Sequence, residues 1–204
     1  MLHEKSSPEE GVAGLYRHSA KREDSWDRSN WLSKENQENG FKNVCKILND
    51  YPYIKSILDV GCGDGKITDF LPDNITDYVG IDICKEIVDV ADDPRIKHAD
   101  IKTFNTKRTY DAVIAIGSFN MGVTFDDLVL ALQHMTDLCD VIMICNISYL
   151  QTRDQSEMWG EPMKTPLVDE RRLLRELGYT VIEHPGAFEP ENGHADRYTI
   201  IQTV

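Results

Sequence analysis

A chain of 204 residues, 41% of them apolar, can form one α/β domain with a small appendage, and it holds no run of 18 apolar residues to cross a membrane. Its net charge of −13 repels phosphate backbones at long range, which weighs against a nucleic-acid partner. The basic groups Lys21–Arg22, Lys107–Arg108 and Arg171–Arg172–Arg175 mostly have acids nearby in sequence and read as solvated surface.

Met1–Gly11 is polar and lacks the apolar stretch of a signal peptide, so the expected location is cytoplasmic. The five cysteines are odd in number and show no C-x-x-C spacing. Cys45, Cys139 and Cys145 sit in or beside apolar runs and read as small buried hydrophobes in a reducing compartment, with no metal site expected. Residues 1–50 are read as an N-terminal helical cap covering the substrate, within the same domain as residues 51–204. In it, Phe41, Val44, Cys45 and Leu48 fall on one helix face over 34–49, and Asp50 and Pro52 end that helix.

Beyond the cap, strand-length apolar runs alternate with helical stretches. Strands are predicted at Ser56–Val60, Tyr78–Ile83, Ile96–Ala99, Tyr110–Ile116 and Val141–Ile147. Helices are predicted at about Lys66–Leu71, Lys85–Val90, after an N-cap at Thr124, and over Val168–Leu177 up to Gly178. Tyr179–Glu183 and Tyr198–Thr203 lack a helix between them, so the last strand should run antiparallel to its neighbour. The expected fold is α/β: a Rossmann-like, seven-stranded mixed sheet with helices on both faces.

The segment Ile57-Leu58-Asp59-Val60-Gly61-Cys62-Gly63-Asp64-Gly65 is a buried strand entering a glycine turn. In an α/β sheet ligands bind at such carboxyl ends, and the free N–H groups of the helix that follows favour a polar ligand end. The spacing is G-x-G-x-G, not the dinucleotide pattern G-x-G-x-x-G. Asp59 would repel a pyrophosphate and suits an ammonium group, which opposes a nicotinamide oxidoreductase. Asp82, ending the second strand, can accept ribose hydroxyls. Asp100 can accept from an adenine amino group, between the apolar Ile83 and Ile101. Ammonium, ribose and adenine together describe S-adenosylmethionine.

Ile57–Gly65, Tyr78–Ile83, Ala99–Ile101 and Tyr110–Ser118 resemble the first four motifs of the class I S-adenosylmethionine-dependent methyltransferases, small-molecule type. The resemblance implies that Asp59 and Gly61 hold the methionine end, with Cys62, Gly63 and Gly65 of the same turn as further cofactor-binding candidates. It implies Asp82 at the ribose, Asp100 with Ile101 at the adenine, and the backbone near Gly117 at the methionine amine, with Ile83 and Ser118 as further cofactor-binding candidates and S-adenosylhomocysteine as product. The Asn/Asp-Pro-Pro-Tyr motif of amino-directed DNA methyltransferases is absent, and Phe119–Asn120 stands in its place.

Tyr16, Trp26, Trp31, Phe119, Asn120, Tyr149, Arg153 and Trp159 lie in segments that could cover a small-molecule substrate. Trp26 and Trp31 would serve equally to pack the N-terminal helices. His18, Tyr149 and His184 are candidate bases if the acceptor must lose a proton. The acceptor atom is left open, and the chain is expected to be a monomer or homodimer. RNA- or protein-directed methylation, or binding of the cofactor without catalysis, are the alternative readings on this fold.

Overall fold

A computed structural model describes residues 11–119, 125–146, 175, 178–185 and 197–202. Helices α1 (Gly11–Ser19), α2 (Ser25–Arg28) and α3 (Lys34–Asn49) precede β1 (Ser56–Val60). Then come β2 (Asp77–Asp82), α4 (Lys85–Ala91), β3 (Ile96–His98), β4 (Tyr110–Ile116), α5 (Phe125–Asp137), β5 (Cys139–Asn146), β6 (Thr180–Pro185) and β7 (Arg197–Gln202). The sheet order is β3-β2-β1-β4-β5-β7-β6. The first five strands pair in parallel, and β7 is inserted antiparallel between β5 and β6.

Both faces of the central strand β4 are covered, so it is apolar and buried from Ala112 to Ile116 and alternates in destination. Along β4, Val113 and Ala115 face one way and pack with Leu58, Met143 and the Leu128, Leu132 and Met135 side chains of α5. Ala112, Ile114 and Ile116 face the other way, against the Phe41, Val44, Ile47 and Leu48 side chains of α3. Each such fully buried Val, Ile or Leu contributes about 1.5–3 kcal/mol. Ser33 starts α3 by accepting from the Asn36 N–H at 3.1 Å. α3 is thus a layer over the sheet, and among the described residues α1, packed on α4, and α2, packed on α3, lie outside it as an outer cover.

One predicted helix is corrected. Residues Lys66–Asp69 form a single 3-10 turn, where a helix over Lys66–Leu71 was expected. Pro72 follows too soon to permit another turn, since it disfavours helical geometry in the residue before it. The expected N-cap Thr124 and, apart from Arg175 and the closing Gly178, the predicted helix of 168–177 lie outside the described residues. All five cysteines are free, and Cys45, Cys139 and Cys145 are buried. No described helix is long and apolar enough to cross a membrane.

Candidate active site

The chain leaves β1 through three left-handed glycines, Gly61 (φ 72°), Gly63 (58°) and Gly65 (75°). A Cβ in that region costs about 1–2 kcal/mol. Space adds a second reason. A side chain at Gly61 would collide with Ser118, and one at Gly65 with Ile96. Ser118 Oγ in turn donates to the Val60 carbonyl at 2.6 Å, tying the exit of β4 to the exit of β1.

Four N–H donors of the turn are already spent. Gly61 N–H and Cys62 N–H donate to the Ile81 carbonyl at 2.8 and 3.1 Å, and Gly65 N–H donates to the Cys62 carbonyl. Gly63 N–H donates to Asp82 Oδ2 at 2.9 Å. The other oxygen of Asp82 accepts from Cys84 N–H at 2.8 Å. Burial raises the pKa of Asp82, and these two N–H groups oppose the rise. A carboxylate has about four lone-pair sites, so roughly two remain for hydroxyl donors.

Beside this polar turn lies an apolar crevice of about 100 Å³ at the carboxyl ends of β1, β2 and β4. Gly61, Ile83, Asp100, Ile101 and Ser118 line it, all five expected at the site. Phe119 lines it too. The substrate role expected of Phe119 is therefore corrected: the ring is 6% exposed and belongs to the core cluster of Ile101 and Leu128. Sequence reasoning missed Lys102 and Asp127 at the same crevice. Lys102 Nζ lies 2.7 Å from Asp127 Oδ1 and 3.6 Å from Asp100 Oδ2, and its backbone N–H donates to Asp100 Oδ1. The hydrogen bond to Asp127 holds the Lys102 ammonium above its ordinary pKa. Only the pair of acids opening α5 hinted at such a partner.

Asp59, expected at the ammonium end, is buried on β1 at the entry to the turn. It shares the α3 face of β1 with Ile57, is 4% exposed, and accepts from the Tyr78 hydroxyl at 2.8 Å. It does not line the crevice. Burial is the main reason its pKa rises to about 7; the Tyr78 hydrogen bond pulls down and the Asp82 charge pushes up. Cys62 Sγ lies over Gly80, close to the Tyr78 hydroxyl, and burial followed by the charges of Asp59 and Asp82 pushes its thiol well up. That thiol is unreactive at neutral pH.

The outer cover is pinned to the glycine turn. Arg28 Nη2 and Nε donate to Asp64 Oδ2 at 2.6 and 3.2 Å, and Ser25 Oγ donates to Asp64 Oδ1 at 2.8 Å. This pair is largely buried, with the Arg28 side chain 14% and Asp64 9% exposed. Ser29 Oγ stands 2.9 Å from where a side chain on Gly63 would begin. Tyr16 of α1 packs on Ala20, Cys84 and Ile87, next to Asp82 in the chain.

The remaining candidates divide clearly. Trp31 packs edge-on against Phe41, with ring centroids 5.8 Å apart, so it serves the core. Trp26 is half-buried on α2, and His18 is exposed on α1. Gly117 is left-handed at φ 71°, directly before Ser118. Asn120, Tyr149, Arg153 and Trp159 lie outside the described residues, as does the side chain of His184, whose backbone pairs with Tyr198 in the sheet.

These groups fit a sulfonium nucleoside in their chemistry: a desolvated carboxylate with acceptor sites left, an acid and a lysine at the mouth of a dry slot, and apolar walls suited to a base. A methyltransferase-domain family model matches residues 57–141. No curated protein matches the chain. Among solved structures, the N-methyltransferase NodS of Bradyrhizobium japonicum WM9 with S-adenosyl-L-homocysteine is 14% identical, with a TM-score of 0.68 over 92% of this chain and 96% of that one. Magnesium protoporphyrin IX methyltransferase of Synechocystis PCC 6803 with bound SAM is 13% identical, with a TM-score of 0.63 over all of both chains. The methyltransferase domain of bacterial CtHen1 is 14% identical, with a TM-score of 0.62 over 82% and 99%. At these identities the structural likeness is one of fold. Residues 57–141 thus match a methyltransferase domain, within a sheet of the same fold as these S-adenosylmethionine- and S-adenosylhomocysteine-bound structures.

Proposed function

We propose that this enzyme methylates a small-molecule acceptor. The observation that carries the reading is the dry crevice at the strand ends, beside a turn whose neighbouring carboxylate keeps acceptor sites open. The net charge of −13 supports a small substrate over a phosphate backbone. So does the likeness to an enzyme named for magnesium protoporphyrin IX. Five free cysteines suit a reducing compartment such as the cytoplasm.

In this reading Asp82 takes the ribose hydroxyls, and Asp100 takes the adenine amino group. Ile83, Ile101 and Phe119 hold the base between apolar surfaces. Gly61, Gly63 and Gly117 let backbone approach the methionine end. When bound, the cofactor supplies an electrophilic methyl on a sulfonium. The chain's own residues align it and keep water out. No base is assigned.

Isothermal titration with S-adenosylmethionine tests the site, with a Kd well below millimolar expected. No heat at about millimolar ligand rejects it. Steeply salt-dependent RNA binding in a gel shift would replace the small-molecule reading with a nucleic-acid one.

A further inference from the structure

At the dry crevice a lysine stands between two acids and is committed to one of them. Lys102 Nζ lies 2.7 Å from Asp127 Oδ1, within hydrogen-bond reach, and 3.6 Å from Asp100 Oδ2, beyond it. All three residues line the crevice. Asp100 and Lys102 belong to the turn after β3, and Asp127 to the first turn of α5, so the pair ties these two elements together. Oδ1 of Asp100 accepts from the Lys102 N–H at 2.9 Å. Its Oδ2 accepts no hydrogen bond among the described residues. One oxygen of Asp100 is thus open, although an ammonium group with three donors stands close by.

Asp127 has the stronger claim on that ammonium. Without the Asp127 charge, Asp100 is the other acid paired with Lys102, and closing 3.6 Å to a hydrogen bond would fill Oδ2. The state of this oxygen matters to a purine. A 6-amino group donates and needs the oxygen open. A 6-oxo group accepts, is repelled by an open carboxylate, and is served by a lysine freed to donate. We infer that Asp127 is a specificity-determining positioning residue: by holding Lys102 off Asp100, it leaves the Asp100 carboxylate to read the 6-amino group of the cofactor's adenine. The inference rests on the assignment of Asp100 to the adenine. It gives α5 a part in choosing the base as well as in walling the slot.

The test compares S-adenosylhomocysteine with its 6-oxo (inosyl) analogue by titration calorimetry, on variants that thermal melting shows to be folded. Wild type should prefer the amino base. Asp127→Asn keeps the side-chain shape and removes the charge. It should bind S-adenosylhomocysteine about 3–10-fold more weakly, the range of one hydrogen bond, with a smaller loss for the 6-oxo analogue, so that the preference narrows. In a Lys102→Met background, Asp127→Asn should change neither affinity, because Asp127 acts through the lysine. An unchanged preference in Asp127→Asn, an equal loss for both ligands included, marks a structural role and overturns the inference. So does a narrowing that persists without Lys102. Asp100→Ala separates the two levels. If it leaves S-adenosylhomocysteine binding unchanged, the adenine assignment falls and this inference with it. If it weakens that binding while the preference survives Asp127→Asn, only the role of Asp127 falls.

Discussion

The two ends of the site are built from different forces. The crevice end is closed by apolar burial: Phe119 and Ile101 belong to the same cluster as the α5 side chains. Burial of that kind is non-directional and long-lived, so this end is a preformed slot. The glycine-turn end is held by directed bonds, from Gly63 to Asp82, from Tyr78 to Asp59 and from Arg28 to Asp64. Such bonds depend on geometry and protonation, and of the three only the bond from Arg28, on α2, joins the outer cover to the turn. On this comparison, the first end should set a ligand's position and the second its exchange.

The largest effect should come from the apolar end. Phe119→Ala empties part of a buried cluster and should cost 3–5 kcal/mol of stability by urea unfolding, together with cofactor affinity. A loss below about 1 kcal/mol would show that the slot is not packed as a core. Next is the buried acid. Asp59 has an ordinary pKa of 3.8, raised to about 7 in the fold. Between those values the folded chain keeps a proton that the unfolded chain has released, so stability falls as pH rises through this window and levels off above it. Asp59→Asn keeps an acceptor for Tyr78 and removes the titration. Relative to that variant, wild type should lose up to roughly 4 kcal/mol between pH 4 and 8. A constant difference across this range rules out the neutral acid. Smaller is the effect of Arg28→Met, which should cost roughly 2–3 kcal/mol by removing a charged hydrogen bond. It should also speed cofactor release in stopped-flow measurements. An unchanged release rate would mean that the polar end does not govern exchange.

The sequence makes the slot more legible than the latch, for a physical reason. Asp82, Ile83, Asp100 and Ile101 sit at strand exits, where position along the chain dictates position in space. Arg28 and Asp64 are 36 residues apart, and no local pattern pairs them. Lys102 and Asp127, 25 residues apart, were missed on the same ground. Asp59 is a different case: strand alternation sets it with Ile57 and opposite Leu58 and Val60, so its face is readable from period two alone. Phe119 was assigned to the substrate because the motif comparison fixes its place after β4 but not the direction of its ring. The 3-10 turn was overextended because its apolar residues continue to Leu71, while Pro72 sets the geometry.

The latch also bears on how the molecule comes together. α1 has nine residues and α2 four, well under the ~12–15 at which an isolated helix becomes even marginal in water. The surfaces that steady them, at Asp64, Cys84 and Glu86, are all later in the chain. Of these segments, those earlier in the chain are thus expected to settle after those that follow. Amide protons in α1 and α2 should gain protection only once β1 and β2 have joined, so their slow exchange reports a finished binding site.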